Sequence, residues 1–158
     1  MSGPAPASPG ILVIGAGNDL RHDDAAGLEA ARRVRRIGGR AIEVIEACGD
    51  LSGLAGIWSG RDRVILLDAA RSGAPCGTVH RLDAAAGPLP VAFARGSTHG
   101  LGIAEAVELS RALGRLPRAL VIYGIEGREF GPGTGLSPAV AEAVESLAGR
   151  LAREWAHA

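Results

Sequence analysis

The chain has 158 residues, the size of a single ordinary domain, and its 17 basic side chains balance its 17 acidic ones. Nucleic-acid-binding proteins are usually basic, so the formal net charge of zero argues against a nucleic-acid partner. Every basic residue is arginine, and the absence of lysine excludes Schiff-base chemistry and a Walker-type phosphate loop. The two cysteines lie outside any C-x-x-C motif, which argues against a disulfide framework and a zinc ribbon.

The amino-terminal residues do not resemble a secretion signal. The first ten residues, MSGPAPASPG, lack the positive start and the apolar run of a secretion signal. No apolar stretch approaches the ~20 residues that span a bilayer. We therefore expect a short disordered leader at residues 1–10 and one cytoplasmic domain over residues 11–158, without a membrane partner.

Apolar runs of strand length alternate along the chain with amphipathic stretches of helix length, which predicts a sheet flanked by helices. The predicted strands are short apolar runs at residues 11–14, 41–45, 63–67, 78–82 and 119–123. The predicted helices cover residues 24–37, 51–58, 98–113 and the stretch after Ser137. Thr98 is the expected N-cap of the third helix, and Ile37 and Leu113 are the last residues of two predicted inner stripes.

Polar residues just past the predicted strands are the candidates for a functional site, because an open α/β sheet binds ligands beyond the carboxyl ends of its strands. Asp24 follows the first strand, Asp68 follows the strand at 63–67, and His99 stands at the start of the third helix. The positive end of a helix dipole disfavours imidazolium, so His99 should stay neutral there. Neutral imidazole and carboxylates are ligands that divalent zinc or nickel accepts. The three residues therefore predict a metal-binding, catalytic cluster.

Each of these residues also has a simpler structural interpretation. Asp23 or Asp24 could cap the first helix, where the helix dipole stabilises a carboxylate by roughly 0.3–1 kcal/mol. Asp68 could bond the backbone of the next turn, and His99 could be an ordinary surface residue. His22, in a polar loop, could be a fourth ligand or simply exposed.

Other functional motifs are incomplete in this sequence. The Rossmann fingerprint would need a third glycine at the position of Leu20. Glu46, at the end of the second strand, could still bind a ribose, so a non-catalytic nucleotide- or small-ligand-binding α/β module is the main alternative. Ser97 lies only two residues from His99, which is a poor geometry for a hydrolytic triad. We assign no role to His80.

Three ordered segments resemble the motifs of the hydrogenase maturation proteases, the endopeptidases that trim the large subunit of nickel-iron hydrogenases. These segments are GAGN at 15–18 with RHDDAAG at 21–27, LLDA at 66–69, and STHGLG at 97–102. The resemblance covers nearly the whole chain from Ile11 onward, and three motifs in matching strand context make it specific.

The resemblance implies a single α/β domain with a five-stranded, twisted, mostly parallel sheet between helices on both faces. It also implies that Asp24, Asp68 and His99 bind metal, and that they recognise nickel already loaded into the substrate. Cleavage would then remove the C-terminal tail of the large-subunit precursor, just after its nickel-binding cysteine motif. Because nickel arrives with the substrate, we expect no tightly bound metal in the free enzyme.

The sequence departs from the family pattern at two places. Many members carry glutamate where this chain has Asp24, but either carboxylate can bind a metal. Many also carry a Gly-Thr pair where Cys48-Gly49 stands here, which leaves substrate recognition near that loop open. A metal-dependent hydrolase of small amides is a third hypothesis, and only activity on a hydrogenase precursor separates it from the first.

Overall fold

The computed structural model of the protein describes residues 10–49, 51–90 and 102–155. Five strands within these residues form one sheet: β1 (Ile11–Gly17), β2 (Ile42–Cys48), β3 (Arg63–Ala70), β4 (Val79–Asp83) and β5 (Ala119–Glu126). The strand order is β2-β1-β3-β5-β4, with β4 antiparallel to β5 and the other pairings parallel. The predicted five-stranded, mostly parallel sheet is therefore confirmed. The predicted leader lies outside the described residues apart from Gly10.

Helices cover both faces of this sheet, as predicted. The described helices are α1 (Ala26–Ile37), α2 (Leu54–Trp58), α3 (Ile103–Ala112) and α4 (Pro138–Trp155), with a 3-10 turn at His22–Ala25. The pair α1 and α4 packs on one face, and the pair α2 and α3 packs on the other. Within the described part of the chain, no helix is long and apolar enough to cross a membrane.

Alternate side chains of each central strand enter two separate hydrophobic cores. Ile11 and Val13 of β1 lie in the core under α1 and α4, while Leu12 and Ile14 lie in the core under α2 and α3. Both sets are buried, which explains why the central strands are continuous apolar runs rather than alternating ones.

Several element boundaries differ from the predictions. α1 begins at Ala26, so Asp24 lies in the 3-10 turn before the helix. β3 extends to Ala70, which places Asp68 inside the strand rather than after it. α3 begins at Ile103 with Gly102 as its N-cap, later than predicted, and the predicted cap Thr98 lies outside the described residues.

The predicted inner stripes of α1 and α3 are wrong at their last positions. Ile37 and Leu113 are each 57% exposed. Ile37 is the final residue of α1, and Leu113 is the C-cap of α3. Both residues lie at helix ends, where the apolar stripe leaves the core.

The reversal of strand order at β1 creates a crevice at the carboxyl ends of β1 and β3. The chain leaves β1 for β2 on one side and then returns to β3 on the other side, which makes this the topological switch point of the sheet. α1 begins close against both strand ends, because a Cβ on Gly27 would overlap the carbonyl oxygens of Leu67 and Ala16. Only glycine permits this approach, so the first turn of α1 is held directly at the crevice.

Candidate functional site

A tight loop after β1 brings Asp24 back to the end of its own strand. The carbonyl oxygen of Asp24 accepts a hydrogen bond from Asn18 N at 3.2 Å, and a Cβ on Gly17 would overlap that same oxygen. Gly17 has a φ of +153°, which favours glycine. Asn18 Oδ1 accepts a hydrogen bond from Leu20 N at 2.9 Å and so closes the turn. The GAGN segment is therefore needed to place Asp24 beside the strand end.

Asp68 lies on β3, the neighbour of β1 at the switch point. Asp24 and Asp68 are only 2% and 4% exposed, and Asp68 Oδ1 accepts a hydrogen bond from Ala69 N at 2.9 Å. Burial raises the pKa of Asp68 well above its ordinary value; the Ala69 N–H acts against this, and the negative charge of Asp24 adds to it. The structure therefore brings these two predicted site residues together. Two interacting buried carboxylates favour a proton or a cation between them.

The third predicted ligand, His99, lies outside the described residues. Among the residues that the structure describes, no group of three or more His, Cys, Asp and Glu side chains could hold a metal ion. Asp68 points to the same face of the sheet as Val64 and Leu66, which is the face that α3 covers. The three-residue metal cluster stays a prediction.

Asp23 has a different role from its neighbour Asp24. It is fully buried, and its carboxylate accepts hydrogen bonds from Arg128 N, Glu129 N and Ser137 N at 2.9, 2.9 and 2.7 Å. Ser137 Oγ donates a fourth hydrogen bond at 2.7 Å. Burial alone would raise the pKa of this carboxyl, but the hydrogen bonds bring it below its ordinary value. Asp23 therefore anchors the loop at residues 127–137 and does not cap α1.

His22 also joins this loop. Its backbone N–H donates to Gly133 O at 3.0 Å, and its Nδ1 lies 3.1 Å from Gly135 O. The residue has a φ of +47°, an uncommon conformation for a residue other than glycine. The contacts of its backbone and ring fix the 3-10 turn against the 127–137 loop.

Glu126, at the end of β5, was missed by the sequence reasoning. The residue is 1% exposed and accepts hydrogen bonds from Ser72 N at 2.8 Å, from Ser72 Oγ, from Ala74 N at 3.2 Å and from His80 Nε2 at 3.3 Å. Burial would raise the pKa of this carboxyl, but these hydrogen bonds lower it below its ordinary value. Glu126 therefore anchors the loop that follows Asp68 and β3.

The sequence did contain a signal for Glu126. The predicted strand ended at residue 123, whereas β5 continues to Glu126. With the strand ending at Glu126, this glutamate is also a polar residue at the carboxyl end of a strand, which is the criterion that selected Asp68 as a site candidate.

Phe130 joins the loops that follow three different strands. Arg71, after β3, has its Cζ 5.0 Å from the centroid of the Phe130 ring. Arg21, after β1, donates from Nε to Phe130 O at 3.1 Å. The ring is 7% exposed, and a Cβ on Gly127 would lie 2.6 Å from its Cζ. Phe130 itself belongs to the loop after β5, so the carboxyl edge of the sheet is a connected unit.

Glu46, the residue that a nucleotide site would need, is engaged in ion pairs. Its Oε1 lies 2.7 Å from Arg32 Nη2, and its Oε2 lies 2.9 Å from Arg35 Nη1. Hydrogen bonds from these two arginines lower the pKa of the Glu46 carboxyl. Arg32 also pairs with Asp19 and Glu29. Because Glu46 is occupied by these ion pairs, it is not available to bind a ribose, which argues against the alternative of a nucleotide-binding module.

A cavity of about 470 Å³ lies beside the loop that carries Asp24. It is lined by residues from the loop after β1, from α1 and from the segment around the start of α4: Asp19, Ala25, Glu29, Thr134, Gly135, Leu136 and Ala141. This volume is within the range of ligand pockets, roughly 300–1,000 Å³. The cavity therefore adjoins the loop that carries Asp24, on the side of the sheet where α1 and α4 pack.

The fold, together with the carboxyl ends of β1 and β3, defines an α/β protein in which two carboxylates, Asp24 and Asp68, are buried at the topological switch point. The family model described as hydrogenase maturation protease, HycI, matches residues 28–154. The chain belongs to the hydrogenase maturation protease family and is therefore a peptidase. The matched range contains Asp68 and begins four residues after Asp24.

Individual relatives agree with this assignment. The hydrogenase 2 maturation protease of Escherichia coli (strain K12) is 31% identical over 140 residues, which cover 85% of this chain and 84% of that protein. The structure of the hydrogenase maturating endopeptidase HybD from E. coli superposes with a TM-score of 0.74 at 27% identity, covering 89% of this chain and 88% of that one. The [NiFe] hydrogenase maturation protease HycI from Thermococcus kodakarensis KOD1 also gives a TM-score of 0.74, at 25% identity, covering 93% and 92% of the two chains.

Proposed function

We propose that this peptidase removes the C-terminal tail of a nickel-loaded hydrogenase large-subunit precursor, with Asp24, Asp68 and His99 as its metal-recognising catalytic residues. The observation that carries the proposal is the buried Asp24–Asp68 pair at the switch point, in a chain of the hydrogenase maturation protease family. The names of the related proteins, which refer to hydrogenase maturation, support the choice of substrate.

Nickel belongs to the substrate in this proposal. The precursor would hold it through soft cysteine thiolates, and the enzyme would add carboxylate and imidazole ligands from one side. Two adjacent buried carboxylates attract a cation but do not fix its geometry. Asp23 adds nothing to this site, because its carboxylate is occupied by four hydrogen bonds. We therefore expect the free enzyme to hold no metal tightly.

Hydrolysis requires a water oriented towards the scissile carbonyl and a group that accepts its proton. Asp24 and Asp68 are carboxylates at the ligand-binding edge, and their burial strengthens their electrostatic effect on whatever occupies the crevice. The anchored loops around them would fix the extended substrate in place. We propose that residues 11–158 act as one domain in the cytoplasm, without a nucleic-acid or membrane partner.

The direct test is incubation of the purified enzyme with a nickel-loaded large-subunit precursor, followed by intact-mass measurement of the precursor. We expect a single mass loss at its C-terminus. Asp24→Asn, Asp68→Asn and His99→Gln should each lower the cleavage rate by about 100-fold or more. Asp83→Asn is the matched control, because this aspartate is exposed at the end of β4 and should not affect cleavage. A wild-type rate for Asp68→Asn would refute the site assignment.

The role of nickel has its own test. A nickel-free precursor should be cut poorly even in an excess of free metal, because the thiolate-held ion supplies part of the recognition. Metal analysis of the purified enzyme provides the complementary measurement. Stoichiometric zinc that survives a chelator would contradict the proposal and favour a self-contained zinc peptidase. Cleavage of small amides without cleavage of the precursor would favour a small-amide hydrolase.

A further inference from the structure

Arg71 is an exposed arginine at the rim of the proposed catalytic crevice. It lies in the loop after β3, three residues beyond Asp68. Its Cζ lies 5.0 Å from the centroid of the Phe130 ring, so its guanidinium is held over a fixed, buried aromatic side chain. A guanidinium that lies over an aromatic ring can still bind a carboxylate through the N–H groups at its edge.

The charge of Arg71 is not neutralised within the described part of the chain, where the structure gives it a ring contact and no ion pair. By contrast, Arg32, Arg35 and Arg61 each pair with a glutamate at 2.6–2.9 Å. An arginine that is pre-oriented but unneutralised is suited to bind an external anion.

The position of Arg71 relates it to the proposed reaction. Phe130 belongs to the 127–137 loop, which Asp23 anchors directly beside Asp24. Arg71 itself belongs to the loop that leaves Asp68. The Arg71–Phe130 contact therefore joins the two segments that lie next to Asp24 and Asp68.

A positive charge has a specific use at this place. Two buried aspartates repel a peptide carboxylate that approaches the crevice, unless a nearby cation offsets the repulsion. We infer that Arg71 is a specificity-determining residue that binds a carboxylate of the substrate tail. The carboxylate belongs either to an acidic side chain of the tail or to its C-terminus. This inference rests on the proposed function.

The test compares Arg71→Gln with Arg63→Gln in cleavage of the nickel-loaded precursor. Arg63 is the matched control, because it is also exposed and lies 5.6 Å over the ring of Trp155, but it stands at the opposite end of β3. Arg71→Gln should lower kcat/KM by about tenfold or more, mainly through a higher KM, because binding energy is lost equally in the ground and transition states. The difference should shrink as salt is raised. Arg63→Gln should match the wild type.

Two modified precursors identify the source of the carboxylate. In one, the acidic side chains of the tail are replaced by their amides; in the other, the tail is extended by several glycines so that its terminal carboxylate is displaced. If the wild type and Arg71→Gln have the same KM for one modified precursor, the carboxylate that was changed in that precursor is the one that Arg71 binds. Equal KM values for Arg71→Gln and Arg63→Gln would overturn the inference, and so would an advantage that both modified precursors retain.

A binding measurement separates failure of this inference from failure of the proposed function. The affinity of the wild type and of Arg71→Gln for the precursor should differ by about tenfold, as the KM values do. Precursor that is bound but not cut by the wild type would refute the proposed function alone. Equal affinities of the two proteins would refute the role of Arg71.

Discussion

Replacing Asp23 with asparagine should destabilise the fold, although the side chain keeps its size. In the wild type, Oδ2 accepts hydrogen bonds from Arg128 N, Glu129 N and Ser137 Oγ, and Oδ1 accepts one from Ser137 N. Asparagine can keep its oxygen on the side with three donors, but its amide group then faces Ser137 N–H. The partly buried Ser137 N–H loses its partner, and the other three hydrogen bonds lose their charge assistance.

The size of the effect follows from these two losses. An unsatisfied buried donor costs about 1–3 kcal/mol, and the weakening of three charged hydrogen bonds adds about 1 kcal/mol more. The free energy of unfolding should therefore fall by about 2–4 kcal/mol. For a protein of this size, 1 kcal/mol shifts Tm by about 2–4 °C, so Tm should fall by roughly 5–15 °C.

Thermal melting at pH 7, followed by circular dichroism, measures the shift, with Asp68→Asn as the control. Asp68 is buried at the same edge, but burial and the charge of Asp24 raise its pKa rather than lower it. An ionised Asp68 is therefore unfavourable in the folded state at neutral pH, and its neutral amide should leave Tm unchanged or raise it. A Tm for Asp23→Asn within about 2 °C of the wild type, or equal decreases for both variants, would refute the reasoning.

Two further predictions concern the elements around the site. Glu126→Gln should lower the free energy of unfolding at pH 7, because the hydrogen bonds to the Glu126 carboxylate lower its pKa in the folded state. The stability difference from the wild type should therefore disappear as pH falls from the unfolded-state pKa of about 4.3 through the lower folded-state pKa. Urea unfolding at a series of pH values measures this, and a constant difference down to pH 2 would contradict it. Gly27→Ala should destabilise by about 1–3 kcal/mol and slow cleavage, because the added Cβ overlaps the ends of β1 and β3. Gly56→Ala, where the added Cβ meets open space within α2, should be neutral or stabilising in the same melts.

Most of the fold could be predicted because the apolar runs that fill two cores are local features of the sequence. The ends of the strands were less predictable. Asp68 lies inside β3 and Glu126 is the last residue of β5, but a polar residue after an apolar run looks like the start of a loop. Whether such a residue is buried depends on partners from distant segments, such as Ser72 for Glu126.

The site could be predicted only in part for the same reason. The strand-end rule predicted that Asp24 and Asp68 would lie close together, and the charge of Asp24 raises the pKa of Asp68 in the structure; the catalytic cluster that includes His99 stays a prediction. The sequence could not distinguish Asp23 from Asp24, because the partners of Asp23 lie more than 100 residues away, in the 127–137 loop. α3 begins at Ile103, later than the predicted start at residue 98, and residue 98 itself lies outside the described residues.

The carboxylate pair draws its members from opposite layers of the molecule. Asp24 immediately precedes α1, which packs with α4 on one face of the sheet, whereas Asp68 points to the face covered by α2 and α3. A chain that has assembled only one layer would not hold both aspartates in place. Under the proposed function, proteolytic activity would then appear only once folding is complete, and a nascent or partly unfolded enzyme would be unable to cut the chains around it.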